Sequence, residues 1–178
     1  MTKFYTDEQQ IIDWLDEYKI KKYTLVPDEQ YGFVIDVSSN VYLSYKKLTI
    51  IPIKFNKITG SFYCNNNKLI SLEFSPQIVS GSFYCSHNQL TLIEFSPQTV
   101  GGSFSCSHNK IASLEFCPET VGSSFYCGHN PKLKEIQKIT DFKLIYLEHE
   151  KVLDNNLSNK LDNNLSNDNS KKTAKIKI

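Results

Sequence analysis

Two residue types in this chain are spaced in a way that invites a chemical reading. Cysteines stand at 64, 85, 106 and 127, and histidines at 87, 108 and 129. A thiolate is a nucleophile or metal ligand, and neighbouring imidazoles bind metals or sense pH. A structural zinc site needs four ligands converging on one point, usually from closely spaced pairs. These cysteines instead recur every 21 residues. If the copies stack, the thiols form a line with steps of about 4.8 Å, all pointing one way, and cannot surround one ion. Parallel Cβ vectors also oppose disulfides between neighbours. Each cysteine therefore reads as a small buried core residue. Cys117 lies outside the column, where Ser75 and Ser96 stand in other copies. The column of His87, His108 and His129, with Asn66 in the first copy, has two readings. It is a ladder for metal or pH-dependent binding, or a surface residue duplicated with its repeat. Catalysis has little support, because no carboxylate or lysine joins these columns in the outward strand positions. The expectation is a non-enzymatic chain with no catalytic residue, no metal site and no cofactor.

The elements that must carry these columns are copies of one another. Gapless segments begin at Gly60, Gly81 and Gly102, and weaker copies precede and follow them, giving about five coils. Apolar positions recur as Phe62/Phe83/Phe104/Phe125, Leu69/Leu90/Ile111/Leu133, Leu72/Ile93/Leu114/Ile136, Phe74/Phe95/Phe116 and Ile58/Val79/Val100/Val121. One short copy cannot enclose a core, whereas stacked copies bury these positions continuously. The alternation in Phe83-Tyr84-Cys85 has period 2, so phenylalanine and cysteine point inward and tyrosine outward. Stacking by translation makes such strands parallel. Ser75-Pro76, Ser96-Pro97 and Cys117-Pro118 suit short 3-10 or helical turns on the opposite side.

Written from Phe83, the unit is F-x-C-x-x-N-x-L-x-x-I, through Cys85, Asn88, Leu90 and Ile93. It resembles the leucine-rich-repeat signature L-x-L-x-x-N-x-L-x-x-L, with phenylalanine and cysteine in two leucine places. The resemblance spans roughly Val41 to Ile136. It also looks like short repeat proteins of tailed phages and large DNA viruses. It implies a strand-rich α/β solenoid with a short parallel sheet on a concave face and 3-10 or short helical turns on a convex side. It further implies that Asn67, Asn88, Asn109 and Asn130 turn inward and bond turn backbone.

The ends differ from the repeats. Thr6 is placed to cap a helix from Asp7, with Ile11, Trp14, Leu15 and Tyr18 on one face. Strands at Tyr23–Val26 and Phe33–Val37 flank a turn-rich connector. Residues 1–40 thus read as a helix-plus-hairpin cap and residues 41–150 as the solenoid, closed by a strand at Phe142–Leu147. Residues 151–178 read as a disordered low-complexity tail, Asn-rich and ending in lysines 171, 172, 175 and 177.

Composition narrows the function. Net charge is +1, and all 20 cationic residues are lysines. Without arginine, sequence-reading of nucleic acid has little support. No stretch reaches the roughly 18 consecutive apolar residues of a membrane span, and Met1 to Gln10 does not read as a secretory signal. The expected setting is the cytoplasm of a bacterium or infected host cell, and the expected state a monomer or weak oligomer. The remaining surface is an outward tyrosine–serine face: Tyr63, Ser82, Tyr84, Ser86, Ser103, Ser105, Ser107 and Tyr126, rimmed by His87, His108 and His129. Tyrosine among small hydroxyls is a composition used for protein recognition. The leading expectation is a protein–protein interaction module binding a partner through this face. The alternatives are a structural or assembly component of phage or virus type using cap or tail contacts, and a histidine-ladder metal or pH-dependent binder.

Overall fold

The computed structural model describes residues 4–135 and a short strand at 175–177. The chain opens with α1 (Glu8–Glu17). Its N-cap is Asp7 rather than the expected Thr6, and the Asp7 carboxylate accepts from Gln10 N at 3.0 Å. A carboxylate there both caps and complements the helix dipole, which a threonine hydroxyl does only in part. Ile11, Trp14 and Leu15 are buried beneath it. The helix ends where Lys19 turns left-handed (φ 55), with Ile20 N–H donating to Leu15 O and Lys19 N–H to Asp16 O. That pair of bonds is a Schellman stop.

An antiparallel hairpin follows, β1 (Tyr23–Asp28) and β2 (Gly32–Val37). Asp28 Oδ1 accepts from Gln30 N and Tyr31 N, each at 2.9 Å, and so shapes the turn. The turn closes at Gly32 (φ 73), where a Cβ would run into the Thr6 carbonyl.

The repeats then supply β3 (Val41–Tyr42), β4 (Phe55–Ile58), β5 (Phe62–Tyr63), β6 (Ile78–Val79), β7 (Phe83–Tyr84), β8 (Thr99–Val100), β9 (Phe104–Ser105), β10 (Thr120–Val121) and β11 (Ser124–Tyr126). They alternate between two sheets. One runs β1-β2-β4-β6-β8-β10, antiparallel only in the hairpin. The other runs β3-β5-β7-β9-β11 and is parallel throughout, ending on β12 (Lys175–Lys177). The chain is therefore a β-solenoid of about four turns with one helix at its front.

The solenoid expectation holds, but the expected 3-10 or helical turns at the Ser-Pro sites do not form. The chain turns over Leu72–Ser75, with Ser75 N–H bonded to Leu72 O at 2.8 Å, and then enters a strand. The reason is local. Proline holds the residue before it out of the helical region. The pairs Ile78-Val79, Thr99-Val100 and Thr120-Val121 are β-branched twice over and favour extended backbone. The serine hydroxyls do not cap. Ser75 and Ser96 donate to Phe95 O and Phe116 O of the next coil, each at 2.8 Å. The one 3-10 helix among the described residues is Pro131–Glu135.

The core is a file of phenylalanines. Phe62, Phe83, Phe104 and Phe125 stack at 5.2–5.7 Å, and Phe55 meets Phe62 edge-on. Leu69, Leu90 and Ile111, and Val79 and Val100, are sealed beside them. The expected inward column at Phe74 fails after its first member. Phe74 is buried under Phe4 and Tyr31, whereas Phe95 and Phe116 are 50 % and 43 % exposed. Only the first coil lies within reach of the cap's aromatic rings.

Ile136, the strand at Phe142–Leu147 and the boundary at 150 lie outside the described residues. So does the tail, except for 175–177, which pair as a strand with β11 rather than standing apart. Among the described residues no helix is long and apolar enough to cross a membrane.

Candidate interaction face

Three columns meet on the outward face of the all-parallel sheet. The central one is tyrosine. Tyr42, Tyr63 and Tyr84 stack with centroids 5.1 and 5.3 Å apart and planes within 10°. Strand register puts Ser105 beside Tyr84 and Tyr126 beside Ser105. Tyr63, Tyr84 and Tyr126 are half-buried, and Ser105 is 8 % exposed. The face thus brings the expected tyrosines into one line, with a step missing at Ser105.

The flanking serines are partly committed to the fold. Ser61 Oγ accepts from Ser82 N at 2.9 Å, Ser82 Oγ from Ser103 N at 3.0 Å, and Ser103 Oγ from Ser124 N at 3.4 Å. Asn40 begins this ladder by accepting from Ser61 N. Each hydroxyl keeps its own proton for a further bond. On the other flank, the Ser86 and Ser105 hydroxyls lie 2.7 Å apart, and Ser107 is half-buried. Small side chains are needed at the upstream corner, because a Cβ on Gly81 or Gly102 would meet the serine and backbone of the preceding coil.

The histidines project where the chain leaves the sheet. His87, His108 and His129 hold φ of 55, 55 and 58°, and Asn66 holds 57°. Asparagine and histidine are among the few L-residues that tolerate this left-handed conformation. That constraint, legible in the Asn66 of the first copy, is a reason for the column that sequence spacing alone did not supply. The bend also directs the His87 and His108 N–H groups onto Ser107 O and Gly128 O. The rings are exposed and stack at 4.1 Å, tilted by 11° and 13°. Their nitrogens therefore point along parallel directions, and cannot converge within the roughly 2.1 Å that zinc–imidazole bonds require. Burial holds His108 below the usual imidazole range, and His87 and His129 push it the same way. The stack favours the neutral ring of His108.

Behind the bend the asparagines turn inward, as the resemblance implies. Asn88 Nδ2 donates to Cys64 O and Cys85 O, both at 3.0 Å, while its Oδ1 accepts from Leu69 N at 3.0 Å. Asn109 and Asn130 repeat the pattern one and two coils on. The cysteine column is sealed. Burial raises Cys64, Cys85 and Cys106 well above the ordinary thiol range, and Cys117 and Cys127 to about 11. These thiols stay protonated and inert. Among the described residues no group of three or more histidine, cysteine or acidic side chains is arranged to hold a metal.

One surface feature escaped the sequence reading. Ile70, Leu92, Phe95 and Phe116 are 43–60 % exposed along the turns between the two sheets. Beside them Ile50, Ile51, Ile70, Ser71, Glu73 and Phe74 line a cavity of about 80 Å³. That is well below the roughly 300 Å³ at which small-molecule sites begin.

No family model, no curated protein and no solved structure matches the chain.

Proposed function

We propose that this protein is a non-enzymatic interaction module that binds a partner protein through its tyrosine–serine sheet face. The observation that carries the reading is the tyrosine ladder itself: stacked rings on a regular sheet, exposed at Tyr42 and half-buried at Tyr63 and Tyr84. Rings held in place by their neighbours lose little conformational freedom on binding, which favours them as interface anchors. Strand propensity accounts for tyrosine in strands. It does not account for the absence of any charged residue at positions 61, 63 and 65 and their counterparts through 124, 126 and 128. Depletion of charge at the centre is a mark of interfaces. Buried thiols and parallel imidazoles support the non-enzymatic side of the reading. The inward asparagine ladder supports kinship with leucine-rich repeats, with a second sheet replacing their convex helices.

The test uses the full chain as bait in lysate of the native host, beside a variant carrying Tyr63→Ser, Tyr84→Ser and Tyr126→Ser. A protein retained by the wild type and lost by the folded variant is the expected result. Equal retention by both would place the binding surface elsewhere.

A further inference from the structure

Positive charge collects at the front corner of the tyrosine face. Lys19, Lys21 and Lys22 follow α1, Lys46 and Lys47 follow β3, and all five are exposed. Contacts bring these segments together. Ser38 N–H donates to Lys22 O at 2.8 Å, and Ser39 Oγ donates to Lys21 O at 3.1 Å. Lys46 Nζ lies 6.0 Å from the centre of the Tyr18 ring. Asp16 and Glu17 are the acids of segments 16–22 and 38–47, two against five lysines. From 37 to 72 the sequence holds no aspartate or glutamate. Tyr42 and Tyr45 stand in the same corner, 59 % and 74 % exposed. Tyr42 is also the first ring of the tyrosine ladder.

The backbone here runs against the preferences of its residues. Lys19, Lys22, Tyr45 and Lys47 are left-handed, with φ of 55, 57, 60 and 58°. Glycine is the usual residue where Lys19 ends the helix. Asparagine or histidine holds the place of Tyr45 in later coils, at Asn66, His87, His108 and His129. Lysine and tyrosine gain nothing locally from this conformation. Residues kept in an unfavourable backbone region point to a role outside the fold.

We propose that this corner binds a carboxylate-rich segment of the partner protein and anchors it beside the tyrosine face. This rests on the reading of that face as a protein-binding surface. Lysine offers carboxylates a point charge, without the guanidinium fork best suited to phosphate. The exposed phenols add ring area and hydroxyl donors. Tyr42 Oη accepts from Asn40 Nδ2 at 2.8 Å and keeps its own proton to donate. A single-stranded nucleic acid fits less well. Its bases need successive open ring faces, and the ladder rings already stack on one another at 5.1 and 5.3 Å.

The experiment titrates the full-length, isotope-labelled chain with a short oligoglutamate peptide and, separately, with an oligothymidylate of equal charge. The expected result with the peptide is a saturable shift of the signals of Lys21, Lys22, Tyr42, Tyr45, Lys46 and Lys47, weakened severalfold by added salt. The combined variant Lys19→Asn, Lys22→Asn and Lys47→Asn removes three charges with residues that tolerate the bend. It should bind the peptide at least about tenfold more weakly. Lys110→Gln, far from the corner, should bind as the wild type does. If the combined variant does not fold, Lys21→Gln with Lys46→Gln, at ordinary backbone angles, decides. Absence of a saturable shift in the wild type, unchanged binding in the folded corner variant, or an equal loss in Lys110→Gln overturns the site. Tighter binding of the oligothymidylate overturns the assignment to protein. A wild type that ignores the peptide, while the triple serine variant still loses its captured protein, overturns the corner and leaves the face intact.

Discussion

Asn88 has its whole amide committed to backbone: two N–H donors on the carbonyls of two successive coils, and one oxygen on the amide of Leu69. Cys64 O also accepts from Asn67 and Cys85 O from Asn109, so the group that depends on Asn88 is the buried Leu69 N–H. Asn88→Ala should therefore lower unfolding free energy by about 1–3 kcal/mol, read from denaturant midpoints. A change within error would mean the ladder is ornamental. His108 gives a second prediction. Its folded-state pKa is lowered, first by burial and then by His87 and His129. The unfolded chain therefore takes up this proton first as pH falls below the ordinary imidazole value of about 6.5. The contribution of neutral His108 is present above that value and is lost as pH drops towards its lowered folded value. The melting temperature should fall between about pH 7.5 and pH 5.5, and His108→Asn, which tolerates the left-handed bend, should flatten that fall. Parallel pH profiles in the two proteins would contradict it. The cysteine and asparagine columns were readable in the sequence because burial leaves one residue type at a fixed spacing. The left-handed bend beneath the histidines was not, because a backbone angle leaves no spacing of its own and Tyr45, one period before Asn66, adopts it too (φ 60).

At the scale of elements, each coil holds two strands and two bends, and the bends fit only where side chains are small. A Cβ at Gly101 would overlap the Ser80 carbonyl of the preceding coil. That neighbour is backbone and cannot swing aside. Gly101→Ala should cost about 1–3 kcal/mol, although alanine is the gentler residue in most strands. A variant as stable as the wild type would show that the coils are packed less closely than described. The strands through Phe62, Phe83, Phe104 and Phe125 follow from period-2 alternation, and were legible. The second sheet was not. Two residues per coil, such as Thr99-Val100, are too few to display a period, and serine followed by proline also suits a helix start. The exposure of Phe95 and Phe116 was hidden for a related reason. They share a repeat position with Phe74, and only contact with Phe4 and Tyr31 separates the buried member from the exposed ones.

For the whole molecule, stacking identical coils yields one continuous core and several ladders at once. The cap closes the front by pairing β2 with β4 and laying Trp14 against Phe55. The result is a stiff plate with a charge-free tyrosine face on one side and a separate sheet on the other. The claim that this plate binds through its tyrosine face is tested most directly by amide hydrogen exchange on the free chain and on its complex with the protein captured from the host. The account predicts added protection in 62–65, 83–86, 104–107 and 124–128, with little change in the second sheet. Protection confined to the second sheet, or to the exposed edge at Leu92, Phe95 and Phe116, would contradict it.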